Sequence, residues 1–81
     1  MRVIYTEEFK RDVQKVKDKK IQDRIKKIVQ KLKDNPEIGK QLRYDLSGFR
    51  SIRLHPFRML YEIRDDLIIL HKFEHRKRVY K

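Results

Sequence analysis

Arg50 and Arg53, Arg58 five residues further on, and the closing run Arg76-Lys77-Arg78 are the side chains of this sequence best suited to chemistry. Clustered guanidinium groups bind phosphate oxygens through planar, bidentate forks. Aromatic residues are interleaved with them: Phe49, Phe57, Phe73 and Tyr80. Cations beside an exposed ring hold RNA phosphates and stack a base. The same residues along a strand edge also keep that edge solvated and unpaired. The pattern alone serves either purpose.

The charge balance favours a polyanionic partner. The 81 residues hold 23 Lys+Arg against 12 Asp+Glu, a net charge of +11, and nucleic acid is the commonest polyanion in a cell. Residues 1–39 carry nine Lys and three Arg, whereas residues 40–81 carry four Lys and seven Arg. Lysine suits solvated helix faces, where Lys15, Lys26 and Lys31 belong. Arginine suits phosphate, so a phosphate site is expected in the second half.

Other chemistries lack their residues. Without cysteine there is no thiol nucleophile, disulfide scaffold or thiolate zinc site. Two glycines, Gly39 and Gly48, cannot build a phosphate-cradling glycine-rich loop. His71 and His75 are four apart, which is one-face spacing on a helix, but the surrounding pattern is a strand and no carboxylate cluster adds a third ligand. Neither a metal nor a cofactor is expected. No run approaches the roughly 20 apolar residues of a membrane span, and residues 1–5 are too short for the apolar region of a signal peptide. A soluble, cytoplasmic domain without membrane contact is expected.

The elements that position these residues follow from periodicity. Residues 1–5 alternate as a first strand. Thr6 is a helix N-cap with Glu7 and Glu8 in the first turn, and Phe9, Val13 and Val16 recur at helical spacing. After a Lys-rich joint at residues 17–20, Ile21, Ile25, Ile28, Val29 and Leu32 line one face of a second helix, which Asn35-Pro36 stops. Leu42, Tyr44 and Leu46 lead to a Ser47-Gly48 turn. Strands are predicted at residues 49–54, 57–64 and 67–75, separated by His55-Pro56 and Asp65-Asp66. Met59, Tyr61 and Ile63 share one strand face, with Arg58, Leu60 and Glu62 on the other. The result is a single α+β domain over residues 1–81, order β-α-α-β-β-β, with a helical hairpin packed on a small, mainly antiparallel sheet. Ile21, Ile25, Ile28 and Leu32 should pack on Tyr61, Ile63, Ile68 and Leu70.

This element order, residues 46–54 (LSGFRSIRL), residues 57–63 (FRMLYEI) and the ending HRKRVYK resemble the RelE/ParE superfamily of toxin–antitoxin toxins, over essentially the whole chain. The ending is similar to that of archaeal RelE-type toxins. The resemblance implies a RelE-like fold and a toxin that enters the ribosomal A site and cuts the mRNA codon there. It implies attack of a 2′-hydroxyl on the adjacent phosphodiester without a metal. By the same resemblance Arg58 is the mid-sheet arginine that stabilises the transition state. Arg76 is the C-terminal arginine of phosphate stabilisation or leaving-group protonation, and Tyr80 orients or stacks the substrate. Arg53 stands for the second of two lysines flanking an Ile in bacterial RelE. Ser51 replaces the first, and an arginine is a poor proton acceptor at neutral pH. That leaves His75 as the nearby side chain of suitable ordinary pKa. Arg50, His75, Lys77, Arg78 and Lys81 would contact RNA.

Two other readings stand beside this one. A ParE-like toxin shares the fold and poisons DNA gyrase, and a basic RNA- or ribosome-binding domain would bind without cutting. The resemblance also implies a cognate, RelB-like antitoxin, acidic and partly disordered when free, alongside the ribosome and mRNA.

Overall fold

The computed structural model describes residues 1–76, so Lys77, Arg78, Tyr80 and Lys81 lie outside the described residues. Strand β1 (Arg2–Tyr5) is followed by helices α1 (Glu7–Gln14) and α2 (Lys19–Asp34). A short 3-10 turn (Pro36–Ile38), the two-residue strand β2 (Lys40–Gln41) and a second 3-10 turn (Tyr44–Leu46) come next. Strands β3 (Phe49–Leu54), β4 (Phe57–Arg64) and β5 (Leu67–His75) complete the fold. The sheet order is β1-β5-β4-β3-β2. β1 runs parallel to β5, and every other pairing is antiparallel. The predicted β-α-α-β-β-β order is present; β2 is an added edge strand, too short to leave an alternating pattern in the sequence. No helix among the described residues is long and apolar enough to cross a membrane.

Thr6 does two jobs where β1 gives way to α1. Its Oγ1 accepts the Phe9 N–H at 3.1 Å, which caps the helix, and donates to the Leu70 carbonyl of β5 at 2.8 Å. α1 therefore starts against the strand it must cover. Asp12 extends the junction by accepting the Phe73 N–H at 2.9 Å, beyond the point where β1 stops shielding β5. α2 is capped by the Asp18 carboxylate on the Lys20 N–H at 2.8 Å, and Pro36 keeps it from continuing past Asp34.

The helices bury one face of the sheet. Ile25, Val29 and Leu32 of α2 and Phe9 of α1 meet Leu54, Met59, Tyr61, Ile68, Leu70 and Phe73, while Ile21, Ile28 and Ile63 pack at the margin. Burying such side chains stabilises the chain by about 1.5–3 kcal/mol each. Leu70 and Phe73 both join this core although they are three residues apart, which a regular strand forbids. The register explains it: Leu60 pairs with Lys72 and Tyr61 with Leu70, so His71 is an extra residue and β5 bulges there.

Tyr61 is fully buried, and its hydroxyl is not wasted. It donates to the Pro36 carbonyl at 2.7 Å and accepts the Gly39 N–H at 2.9 Å. A Cβ on Gly39 would come within 2.6 Å of the Tyr61 ring, so glycine is required there for space. Burial pushes the Tyr61 phenol above its ordinary value of 10.0, against smaller opposing effects of the Gly39 hydrogen bond and the Arg50 charge.

Candidate functional site

Strand register sorts the basic residues by face. Arg53 is the direct Cα partner of Arg58, and Arg58 of Glu74, so the three form a row across β3, β4 and β5. Their neighbours in sequence, Leu54, Met59 and Phe73, belong to the core. The row therefore lies on the far face of the sheet, away from the helices. Like charges directly opposite one another destabilise a sheet. Glu74 offsets this: its Oε2 accepts from Arg58 Nε at 3.2 Å, with both side chains about one-fifth exposed. Among the described residues Arg58 Nη1 and Nη2 take no further partner, which leaves a fork for an anion.

Arg76 comes to the same end of the sheet. Its backbone N–H donates to the Pro56 carbonyl in the β3–β4 turn at 2.9 Å, two residues beyond Glu74. His55-Pro56 in that turn is a cis peptide. Arg53, Arg58 and Arg76, scattered over 24 positions of sequence, thus converge around one turn. Guanidinium groups are the side chains suited to holding a phosphodiester and meeting the negative charge that grows on it in a substitution at phosphorus, and these three backbone positions carry them at one end of the sheet.

The other candidates go elsewhere. Arg50 is the Cα partner of Tyr61 and so lies on the helix-covered face. Its Nη1 donates to the Glu37 and Gly39 carbonyls at 3.2 and 2.8 Å, fastening the 3-10 turn after α2. His75 pairs with Phe57, also on the covered face, with its ring edge-on to Phe57 at 5.3 Å. Phe57 in turn stacks on Phe73 at 4.7 Å. The far-face imidazole is that of His71, whose Nε2 lies 2.7 Å from Glu62 Oε1 and whose ring meets Phe49 edge-on at 5.0 Å. Glu62 also accepts from Arg64 Nη2 at 3.0 Å. Ser51 is two residues from Arg53 on the same strand face. Among the described residues no three His, Asp or Glu side chains gather as a metal set.

Sequence reasoning did not anticipate Glu74 as the partner of Arg58 or His71 as the far-face histidine. The place of Glu74 on the far face, and of His75 on the covered one, depends on the β5 bulge, which shifts the strand's parity between Leu70 and Phe73, and nothing in Leu67-Ile68-Ile69-Leu70-His71 marks its place.

The family model described as "ParE toxin of type II toxin-antitoxin system, parDE" matches residues 3–80. No curated protein matches the sequence. Among solved structures, the chain is similar to one in the toxin–antitoxin complex RelBE2 of Mycobacterium tuberculosis. The TM-score is 0.82 and the identity 29%, covering 93% of this chain and 96% of that one. It is also similar to a chain of the RelB–RelE antitoxin–toxin complex of Methanococcus jannaschii (TM-score 0.77, 22% identity, 95% and 94% covered). A third likeness is to the YoeB dimer of Staphylococcus aureus (TM-score 0.76, 23% identity, 94% and 97% covered). The last two identities speak to the fold alone.

Proposed function

We propose that this chain, which belongs to the ParE toxin family of type II toxin–antitoxin systems within the RelE/ParE superfamily, is a ribosome-dependent endoribonuclease that cuts mRNA in the A site. The observation that carries this reading is the Arg53–Arg58 pair on the far face, with Arg76 beside the same turn. The 2′-oxygen attacks the adjacent phosphorus, the bond from phosphorus to the 5′-oxygen breaks, and a 2′,3′-cyclic phosphate and a 5′-hydroxyl result. One proton leaves the 2′-hydroxyl and one reaches the 5′-oxygen, so the route calls for no metal. Arg58 and Arg53 stabilise the phosphorane charge; Arg76 stabilises the phosphate or protonates the leaving oxygen. Tyr80 orients or stacks the substrate, and Lys77, Arg78 and Lys81 hold its backbone. The ribosome positions the codon, and charge stabilisation rather than a strong base carries the reaction, since Ser51 and Arg53 are poor proton acceptors.

The chain works in the cytoplasm, where its substrate is, and its other partner is a cognate antitoxin. Two of the similar structures are themselves toxin–antitoxin complexes, and a net charge of +11 speeds association with an acidic chain. The test is single-turnover cleavage of mRNA on programmed ribosomes, with the product ends mapped. Cyclic phosphate ends at A-site codons support the reading. The second reading, gyrase poisoning, is favoured by the ParE description of the matching family model. Inhibition of supercoiling by a chain that cuts nothing would put it first, and ribosome binding without either activity would leave a non-catalytic domain.

A further inference from the structure

The loop from β2 to β3 contains two left-handed residues. Gly48, at φ 95°, adopts that conformation without a Cβ to clash. Tyr44, at φ 61°, does so with a full side chain, in a region where side chains are strained. Packing does not offset the strain. Tyr44 is 91% exposed, more than twice any other exposed large hydrophobic among the described residues. None of their rings stacks on it. What the fold takes from this residue is backbone: its carbonyl accepts the Ser47 N–H at 3.0 Å, and glycine would serve that turn better. Strain held at an exposed residue points to a use outside the fold.

The surroundings indicate the ligand. Lys40, Arg43 and Arg50 border one hollow together with Gln41 and Leu42, and Arg43 directly precedes Tyr44. Asp45 and Glu37 are the exposed acids of the same segment, leaving cations in the majority. β2 is the last strand of the sheet among the described residues, so its outer backbone groups lie at an open edge that ends three residues before Tyr44. An exposed ring, flanking cations and unpaired backbone donors and acceptors are the components that hold an unstacked base of single-stranded nucleic acid. A duplex, whose bases are already stacked, has nothing to offer the ring.

We propose that Tyr44 is the stacking platform of a nucleobase site for single-stranded RNA, with Lys40 and Arg43 as its phosphate contacts. The site lies at the Phe49 end of β3, away from the Arg53–Arg58 row, and would hold RNA beyond the scissile phosphate. Its ligand follows from the nuclease reading, but its existence does not depend on cleavage.

The experiment measures binding of labelled oligoadenylate and of an RNA duplex to the full chain, together with melting temperature. Tyr44→Gly should melt at the wild-type temperature or above and bind oligoadenylate about tenfold or more weakly, with duplex binding unchanged. Tyr44→Phe should bind like wild type and Tyr44→Leu like Tyr44→Gly. Oligoadenylate binding by Tyr44→Gly equal to wild type overturns the site. So does an equal loss for single strand and duplex, which is general electrostatics. Equivalence of Tyr44→Leu and Tyr44→Phe also overturns it, because an apolar contact to a protein partner then explains the exposure. Wild type that shows the expected pattern yet cuts nothing on ribosomes keeps the site and removes the nuclease reading.

Discussion

Arg58 is held between a like charge and an unlike one: Arg53 is its partner on β3, and Glu74 on β5 takes its Nε–H at 3.2 Å. The single contact to Nε restrains the guanidinium while sparing Nη1 and Nη2. Glu74 also places a negative charge beside a phosphate site, so it opposes RNA binding. The two effects separate on mutation. Glu74→Ala should slow single-turnover cleavage by about tenfold, the worth of one hydrogen bond to a charged group, while RNA binds as tightly as to wild type or more so. In an Arg58→Ala background it should do nothing further. Faster cleavage by Glu74→Ala would instead show that the carboxylate blocks the site.

Removing a guanidinium from the row should damage the chemical step more than binding. Arg58→Ala and Arg76→Ala are each expected to cut about 10²–10³ times more slowly in single-turnover assays. Arg58→Lys should recover part of the loss, since an ammonium keeps the charge without the fork. Lys26→Ala, on the exposed side of α2, should cut at nearly the wild-type rate. Wild-type cleavage by both alanine variants at positions 58 and 76 would remove these residues from the reaction.

The core should respond in proportion to burial. Leu32 has no exposed surface, so Leu32→Ala should cost about 2–5 kcal/mol in urea unfolding. Ile28, at the core margin, should lose only about 1 kcal/mol on the same change. Equal losses would mean that α2 is rotated from the position described.

Tyr61→Phe tests the hydroxyl that joins β4 to the turn after α2. It strands the Gly39 N–H and the Pro36 carbonyl, at a cost of about 1–3 kcal/mol near neutral pH. The wild-type phenol also makes stability fall at alkaline pH. Its folded pKa is raised above 10.0, so the unfolded chain loses the proton first and ionisation favours unfolding. That stabilisation is complete below pH 10 and is lost as pH rises towards the folded value. Denaturation of wild type and Tyr61→Phe across this range should show their difference shrinking above pH 10; a constant difference would contradict the assignment.

Much of this arrangement was legible in the sequence. The apolar stripe Ile25, Val29 and Leu32 needs a helix, and Asn35-Pro36 ends it where the structure does. The strands at 49–54, 57–64 and 67–75 were fixed by turn residues between alternating runs. Strand parity even separates Arg50 from Arg53, since residues three apart point to opposite faces. Contacts set by distant pairings were not legible. Leu60 alternates with the polar face of β4 and yet is 5% exposed, and the contact of Arg58 with Glu74 depends on a register that the His71 bulge shifts. In the sequence Tyr44 is one more apolar residue before a turn, because no sequence pattern reports a positive φ.

The parallel pairing of β1 with β5 also governs when the molecule can be completed during synthesis. Arg2 aligns with Leu67 and Tyr5 with Leu70, so β1 waits for β5. The helices can form from local contacts as they emerge, but Thr6 cannot reach the Leu70 carbonyl, nor Asp12 the Phe73 N–H, until β5 follows. At about 5–20 residues per second, the intervening chain takes several seconds to make. Throughout that interval α1 lacks the strand it covers, and Arg58 lacks both Glu74 and Arg76. A nascent chain is therefore without its assembled arginine cluster until the segment through Arg76 has been made.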